Sequence, residues 1–433
     1  MILLLAAAGP AAQNPIVPAG VYFADPSARV WSDGRLYLYG SVDESTRHYC
    51  SRRYHILRTA DLKGWEVLRD RFASSGPGDQ VAGSDGLLFA PDCQFRGGRY
   101  YLYYCLPDPR YREGVAVAKS PAGPFVEGRR IDLQGRDGID PCVFLDEDGQ
   151  AYYLWGQFRA CIARLEPNMV EIDPATIQEG IVTEKEHFFH EGAHLVKRKG
   201  LYYLVYAHMG RADRPTCIGY ATAPSPMGPY EYGGVIIDND HCDPGNWNNH
   251  GSIVKFKGRW YVFYHRATHG SRTMRKACLE PITFNPDGSI DEVEMTSQGA
   301  GGPLDARERI EAERACLLFG HARIEAFAPA AEQLGRARDG DQAAYKYLDF
   351  GAGVGRVRLR IRMRGGTGSL ELVPDRPWKR ALCRVKLPGG KGTGQWQVVE
   401  AKLPRTAGVH ALWLRFRGGE GDLCDLDWLQ FAK

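Results

Sequence analysis

The most regular pattern along the chain is a short polar turn followed by an aromatic-rich apolar run. It occurs five times in the first 300 residues: DGRLYLYGS (33–41), GGRYYLYYC (97–105), DGQAYYLWG (148–156), KGLYYLVYA (199–207) and KGRWYVFYH (257–265). Measured at Tyr37, Tyr101, Tyr153, Tyr203 and Tyr261, the intervals are 64, 52, 50 and 58 residues. A period near fifty, with several strands per unit, predicts a β-propeller with one blade per repeat, hence five blades. SPAGPF (120–125) and SPMGPY (225–230) read as one outer-blade turn used twice. Upstream of each aromatic strand a polar residue opens a short apolar stretch. These residues are Asp25, Asp92, Asp140, Glu191 and His250, at 12, 9, 13, 12 and 11 residues before the reference tyrosine. Each unit therefore reads as a hairpin whose first strand begins with a polar side chain. First strands line a propeller's axis, so the five are predicted to converge on one funnel.

The pattern changes after the Gly-rich stretch EMTSQGAGGPLDA (294–306). GRVRLRIRMRG (355–365) alternates Val357, Leu359, Ile361 and Met363 with Arg358, Arg360, Arg362 and Arg364, which predicts one buried face and one solvated arginine row. GSLELV (368–373), WQVVEAKLP (396–404) and HALWLRFRG (410–418) add strands of a jelly-roll-like β-sandwich. The predicted fold is all-β: a five-bladed β-propeller over 1–300, a linker over 301–308 and a β-sandwich over 309–433. A chain of 433 residues is too long for one ordinary core, which agrees with two domains.

Composition adds little to the fold and narrows the function. The 51 Gly, 26 Pro and 22 Tyr suit short strands and tight turns. A net charge of +3 gives no ground for nucleic acid or an anionic membrane as partner. The 11 cysteines are odd in number, lie partly inside apparent strands and include no C-x-x-C pair, which favours a reducing compartment. The start, MILLLAAAGPAAQNP, has no basic residue before its apolar stretch and is too short to span a membrane. The expected location is the cytoplasm, with secretion the alternative. Nothing here sets the oligomeric state.

The letters HEGAH (190–194) fit the zinc-protease pattern, in which two His bind metal and Glu is the base. That chemistry needs a helix, and the flanks FF and LV, Gly192 and the KRKG turn all read as strand. On a regular strand His190 and His194 would share a face with Glu191 opposite. The carboxylates of a closed funnel suit other work. Crowding and burial raise the pKa of the least compensated one while another stays ionised, which is the division of labour that glycosidic cleavage requires.

FADPSARVW with GRLYLYGS, GIDPCVFLDEDGQAYYLWG, FFHEGAHLVKRKGLYYLVYA and NNHGSIVKFKGRWYVFYHR resemble glycoside hydrolase family 43, over residues 14 to 303. The resemblance implies an inverting mechanism with Asp25 as general base, Glu191 as general acid and Asp140 as the third carboxylate that tunes the acid. It implies an axial role for His250, in some members beside a water-coordinated ion. It places Arg275 against substrate and the third carboxylate, and Phe89 and Asp92 as lining or structural residues. The ends RIEAERA (309–315) and DLDWLQF (425–431) resemble a family 6 carbohydrate-binding module. This implies a structural calcium at Glu313 and Asp427 and a sugar-stacking role for Trp396, although Asp425 stands where the family usually has Asn. The implied activity is exo-release of α-L-arabinofuranose or β-D-xylose from arabinoxylan- or arabinan-type oligo- or polysaccharides, with no cofactor for catalysis. An arabinan- or galactan-degrading hydrolase and a non-catalytic sugar-binding propeller are the alternatives. Loops such as 50–65 and 239–247 are expected to set the pocket's depth.

Overall fold

The computed structural model describes residues 13–110, 112–387 and 394–433; the apolar N-terminal stretch 1–12 lies outside them. No helix among the described residues is long and apolar enough to cross a membrane. Blades 2, 3 and 4 are separate four-stranded antiparallel sheets that open on Phe89–Arg96, Cys142–Leu145 and Phe189–Arg198. Blades 1 and 5 share a seven-stranded sheet. The opening strand of blade 1, Phe23–Val30, runs parallel to Ser271–Ile282 of blade 5 and pairs with it where Phe23 meets Lys276. Together with Ser252–Phe256, the five opening strands contact one another in a ring.

The repeated aromatic strands follow from this geometry. Five apolar clusters fill the gaps between neighbouring blades, and each second strand feeds two of them. Tyr37 and Tyr39 of Leu36–Val42 face blade 2, while Leu36 and Leu38 face blade 5. A strand buried on both sides loses the hydrophobic–polar alternation and reads as a continuous apolar run. The twin turns at 120–125 and 225–230 join the third and fourth strands of blades 2 and 4, as the repeat predicts. The centre of 50–65 is strand Arg53–Thr59 of blade 1 rather than a pocket loop.

The ring is closed by the chain's beginning. The buried Asn14 side chain donates to the carbonyls of Leu279 and Thr296, and its oxygen accepts from Leu279 N. The sandwich consists of two six-stranded sheets around one apolar core, with Val357, Leu359, Ile361 and Met363 inside it. The arginine row opposite is not simply solvated. Arg360 pairs with Asp427, and Arg362 and Arg364 pair with Asp425 at 2.8 and 2.6 Å. The two domains are joined by main-chain bonds, His269 N to Ile324 O at 2.6 Å and Leu318 N to His241 O at 2.7 Å, and by a buried Lys276–Glu332 ion pair.

Candidate active site

Bulges interrupt the opening strands close to the axis. The register slips between Ala24 and Ser27, between Phe89 and Asp92, and on either side of Glu191. Asp25 and Asp140 adopt left-handed φ of 53° and 56°, Gly192 one of 69°. Such conformations cost roughly 1–2 kcal/mol for a residue with a Cβ, and bulges re-aim side chains beside active sites. Here they turn Asp25, Asp140 and Glu191 towards one point, which His250 also faces. His250 Nδ1 lies 3.7 Å from Asp25 Oδ1 and 3.8 Å from Asp140 Oδ2. At Gly192 a Cβ would stand 2.6 Å from His250 Nε2, so glycine is what lets the imidazole rest against the strand.

The carboxyl groups are held differently. Burial alone would raise Asp25, but Arg275, then His265 and His250, outweigh it and keep the carboxyl well below the usual range. Arg275 Nη1 donates to Asp25 Oδ1 at 2.8 Å, Ser41 Oγ to Asp25 Oδ2 at 2.6 Å, and His265 Nδ1 is 3.4 Å away. Arg275 is itself fixed by Asp43 through Nε and Nη2, both at 2.9 Å, with the Tyr49 ring 4.9 Å from its guanidinium carbon. Asp140 is pushed up well above its ordinary value, by burial first and then by the charges of Glu191 and Asp25. Glu191 is half-buried and accepts from Gln157 Nε2 at 2.8 Å. Burial lowers the pKa of His250, which favours the neutral imidazole. One carboxylate fixed as an anion, in the same funnel as a carboxyl that keeps its proton and a half-buried glutamate, can polarise a water while an oxygen is protonated.

Other sequence expectations need correction. Asp92 lies one layer below the funnel. It pairs across the hairpin with Tyr103, as Ser27 pairs with Tyr39 and Ser252 with Phe263, so Ala90 holds the position equivalent to Asp25. Its carboxylate is occupied by Ser27, Arg29 and Val143 N, leaving nothing for a substrate. The hydrogen bonds of Arg275 go to Asp25 and Asp43, while its charge also acts on the third carboxylate, Asp140. Phe89 lines a cleft of about 970 Å³ beside the funnel.

The two histidines of HEGAH stand on strand Phe189–Arg198 but do not share a face, because the bulges separate them. His190 binds Glu184 at 3.0 Å, whereas His194 lines a small axial cavity with Asp92 and His250. These donors do not suit an ion at His250, since Arg29 already neutralises Asp92. Glu313 and Asp427 are not brought together as a calcium pair. Asp427 is paired with Arg360, while the charged neighbours of Glu313 are Glu332, Lys276 and Glu311. Among the described residues no cluster of three or more His, Cys, Asp or Glu is arranged for a metal.

Ser41, Asp43, Tyr49, Gln157 and His265 belong to the site without having been singled out by the repeat. Asp43 follows the first aromatic strand and His265 ends the fifth aromatic segment, so the repeat did run through their neighbourhood. On the rim stands Trp247, from the 239–247 loop, with Arg272 5.9 Å from its ring.

Comparison with known proteins agrees with this geometry. The model of glycosyl hydrolases family 43 matches residues 12–290, and that of the family 6 carbohydrate-binding module matches 319–433. A xylosidase/arabinosidase of Thermoclostridium stercorarium is 30% identical over 94% of this chain and 96% of its own. The crystal structure of a family 43 arabinoxylan arabinofuranohydrolase from Bacillus subtilis, in complex with cellotetraose, is 25% identical with a TM-score of 0.55 and 97% coverage of both chains. A family 43 β-xylosidase/α-arabinofuranosidase from a compost metagenome, solved with xylotriose, is 31% identical with a TM-score of 0.55, covering 66% of this chain and 98% of that one. The chain belongs to glycosyl hydrolases family 43, its propeller followed by a module of the family 6 carbohydrate-binding type.

Proposed function

We propose that this protein is an inverting exo-glycosidase that releases α-L-arabinofuranose or β-D-xylose from arabinoxylan-type glycans. The observation that carries the reading is the unequal treatment of the carboxyl groups. Asp25, kept ionised by Arg275, is the base that holds and deprotonates the attacking water. Glu191 donates a proton to the leaving oxygen, with Asp140, whose own carboxyl is held protonated to higher pH, as its neighbour. Water attacks on the face opposite the acid, which inverts the anomeric centre. The chemistry draws on carboxyl groups and water alone.

Gln157 holds Glu191 and also lines the 970 Å³ cleft, together with Phe89 and Phe158. The leaving group departs on the acid's side, so the remainder of an oligo- or polysaccharide lies in this cleft. Xylosidase and arabinosidase names among the relatives support a pentose in the funnel. A cytoplasmic location, acting on imported fragments, goes with this reading.

Hydrolysis of 4-nitrophenyl α-L-arabinofuranoside and β-D-xyloside tests it, with the first-formed anomer read by NMR. The expected result is release from at least one, with inversion, falling roughly a thousandfold in Glu191→Ala. Retention of configuration, or unchanged turnover in the variant, would overturn it.

A further inference from the structure

Trp378 sits in the turn between strands Gly368–Pro374 and Cys383–Leu387 of the sandwich and is 72% exposed. Leaving so large an apolar side chain in water forgoes roughly 1.5–3 kcal/mol of burial. The turn that presents it is nevertheless tightly built. Asp375 N donates to Ala411 O at 2.7 Å, and Trp413 Nε1 donates to Asp375 O at 3.1 Å. Lys379 and His410 bind the Asp375 carboxylate at 2.8 and 2.9 Å, and the Arg376 guanidinium carbon lies 5.6 Å from the Trp378 ring centre.

A polar row continues from this turn. Leu370 and Leu372 point into the sandwich core, so Glu371 between them lies on the opposite face of the sheet, with Arg384 and Arg415 as its cross-strand neighbours. Arg415 Nη1 donates to Pro377 O at 2.8 Å, and its Nη2 meets Glu371 Oε2 at 2.8 Å; the other Glu371 oxygen takes Arg384. One guanidinium thus couples the tryptophan's turn to a largely buried carboxylate and an exposed arginine.

The aromatic that the sequence nominates for sugar is differently placed. Trp396 has the guanidinium carbons of Arg360 and Arg362 at 5.0 and 4.7 Å from its ring centre and Phe327 against it. Its neighbour Asp425 is fully buried and bound by Arg362 and Arg364.

We propose that the module grips a xylan-type chain at Trp378 rather than at Trp396. A pyranose ring offers a flat C–H face with hydroxyls around its edge. The indole supplies the matching platform, and Arg384, 66% exposed at its side chain on the polar row that continues from the turn, supplies donors; Glu371 and Arg415 hold the row and the turn in place. Because the turn is held in place before binding, little ordering cost opposes the contact.

Affinity electrophoresis of the full chain through gels containing soluble arabinoxylan tests this, in a Glu191→Ala background that leaves the polymer intact. The expected result is retardation that weakens roughly tenfold or more in Trp378→Ala and persists in Trp396→Ala. In the otherwise native chain, Trp378→Ala should hydrolyse 4-nitrophenyl glycosides at the unaltered rate, which shows that the fold is intact. Absence of retardation, retardation unchanged by Trp378→Ala or lost instead in Trp396→Ala, or retardation by heparin but not by arabinoxylan, would each overturn the proposal.

Discussion

Asp25 depends on a residue 250 positions away: the Arg275 guanidinium sets its charge. In Arg275→Met, Asp25 loses the cation that offsets its burial, and its pKa rises. The base is active when ionised, so the acid limb of kcat/KM should move to higher pH, and an unmoved limb would contradict the assignment. Asp43 would be left buried without its partner, at a cost of about 3–5 kcal/mol of stability. Asp140 governs the other limb. Burial, and then the charges of Glu191 and Asp25, hold its proton to higher pH. In Asp140→Asn the site loses the carboxyl whose proton is held to higher pH, so the alkaline limb should move to lower pH. A pH–rate profile of each variant separates the two roles.

At the scale of strands, the functional geometry rests on bulges. Gly192→Ala would place a Cβ 2.6 Å from His250 Nε2 at a φ of 69°. The backbone alone costs about 1–2 kcal/mol. The imidazole must also move, so kcat should fall at least tenfold while far-ultraviolet circular dichroism stays unchanged. Bulges also explain where the sequence stopped being legible. The blades were readable because each second strand is buried on both sides, which writes an unbroken aromatic run into the chain. A bulge adds one residue and leaves the hydrophobic pattern intact. Asp92 was therefore grouped with Asp25, Asp140 and Glu191, and only its offset of 9 residues, against 11 to 13 elsewhere, marked it as deeper. The same insertions undo the alternation that would have put His190 and His194 on one face. Arg275 and His265 reach Asp25 from blade 5 through ring closure, a tertiary event that no local pattern records. The C-terminal carboxylates Glu313 and Asp427 do not form a pair for a similar reason, since Asp427 is taken by a cross-strand arginine while Glu313 lies near Glu332 and Glu311.

The whole molecule carries buried carboxyl groups whose charge is unwelcome. Glu313, at the domain interface, is pushed up to about 8 by burial and by Glu332; Glu113 is likewise raised to about 8, by burial. For a carboxyl raised in the folded state, the folded form binds the extra proton. Its stabilising contribution is complete below the ordinary carboxyl range and is lost as pH rises through about 8. Thermal stability should therefore decline from mildly acidic to mildly alkaline pH, and Glu313→Gln should flatten that decline in melting curves. An equal slope in the variant would show that Glu313 is already ionised in the folded protein.

The pairing of Phe23 with Lys276, sealed by Asn14 against Leu279 and Thr296, has a consequence for when the enzyme comes alive. Asp25 stands on one side of this seam and Arg275 on the other. During synthesis four blades can stack as soon as they emerge from the ribosome, yet the attacking base has no guanidinium until the fifth arrives. A nascent chain halted before residue 275 would carry Asp25, Asp140 and Glu191 and still be inert. Turnover thus reports whether the circle is shut, not merely whether its blades are folded.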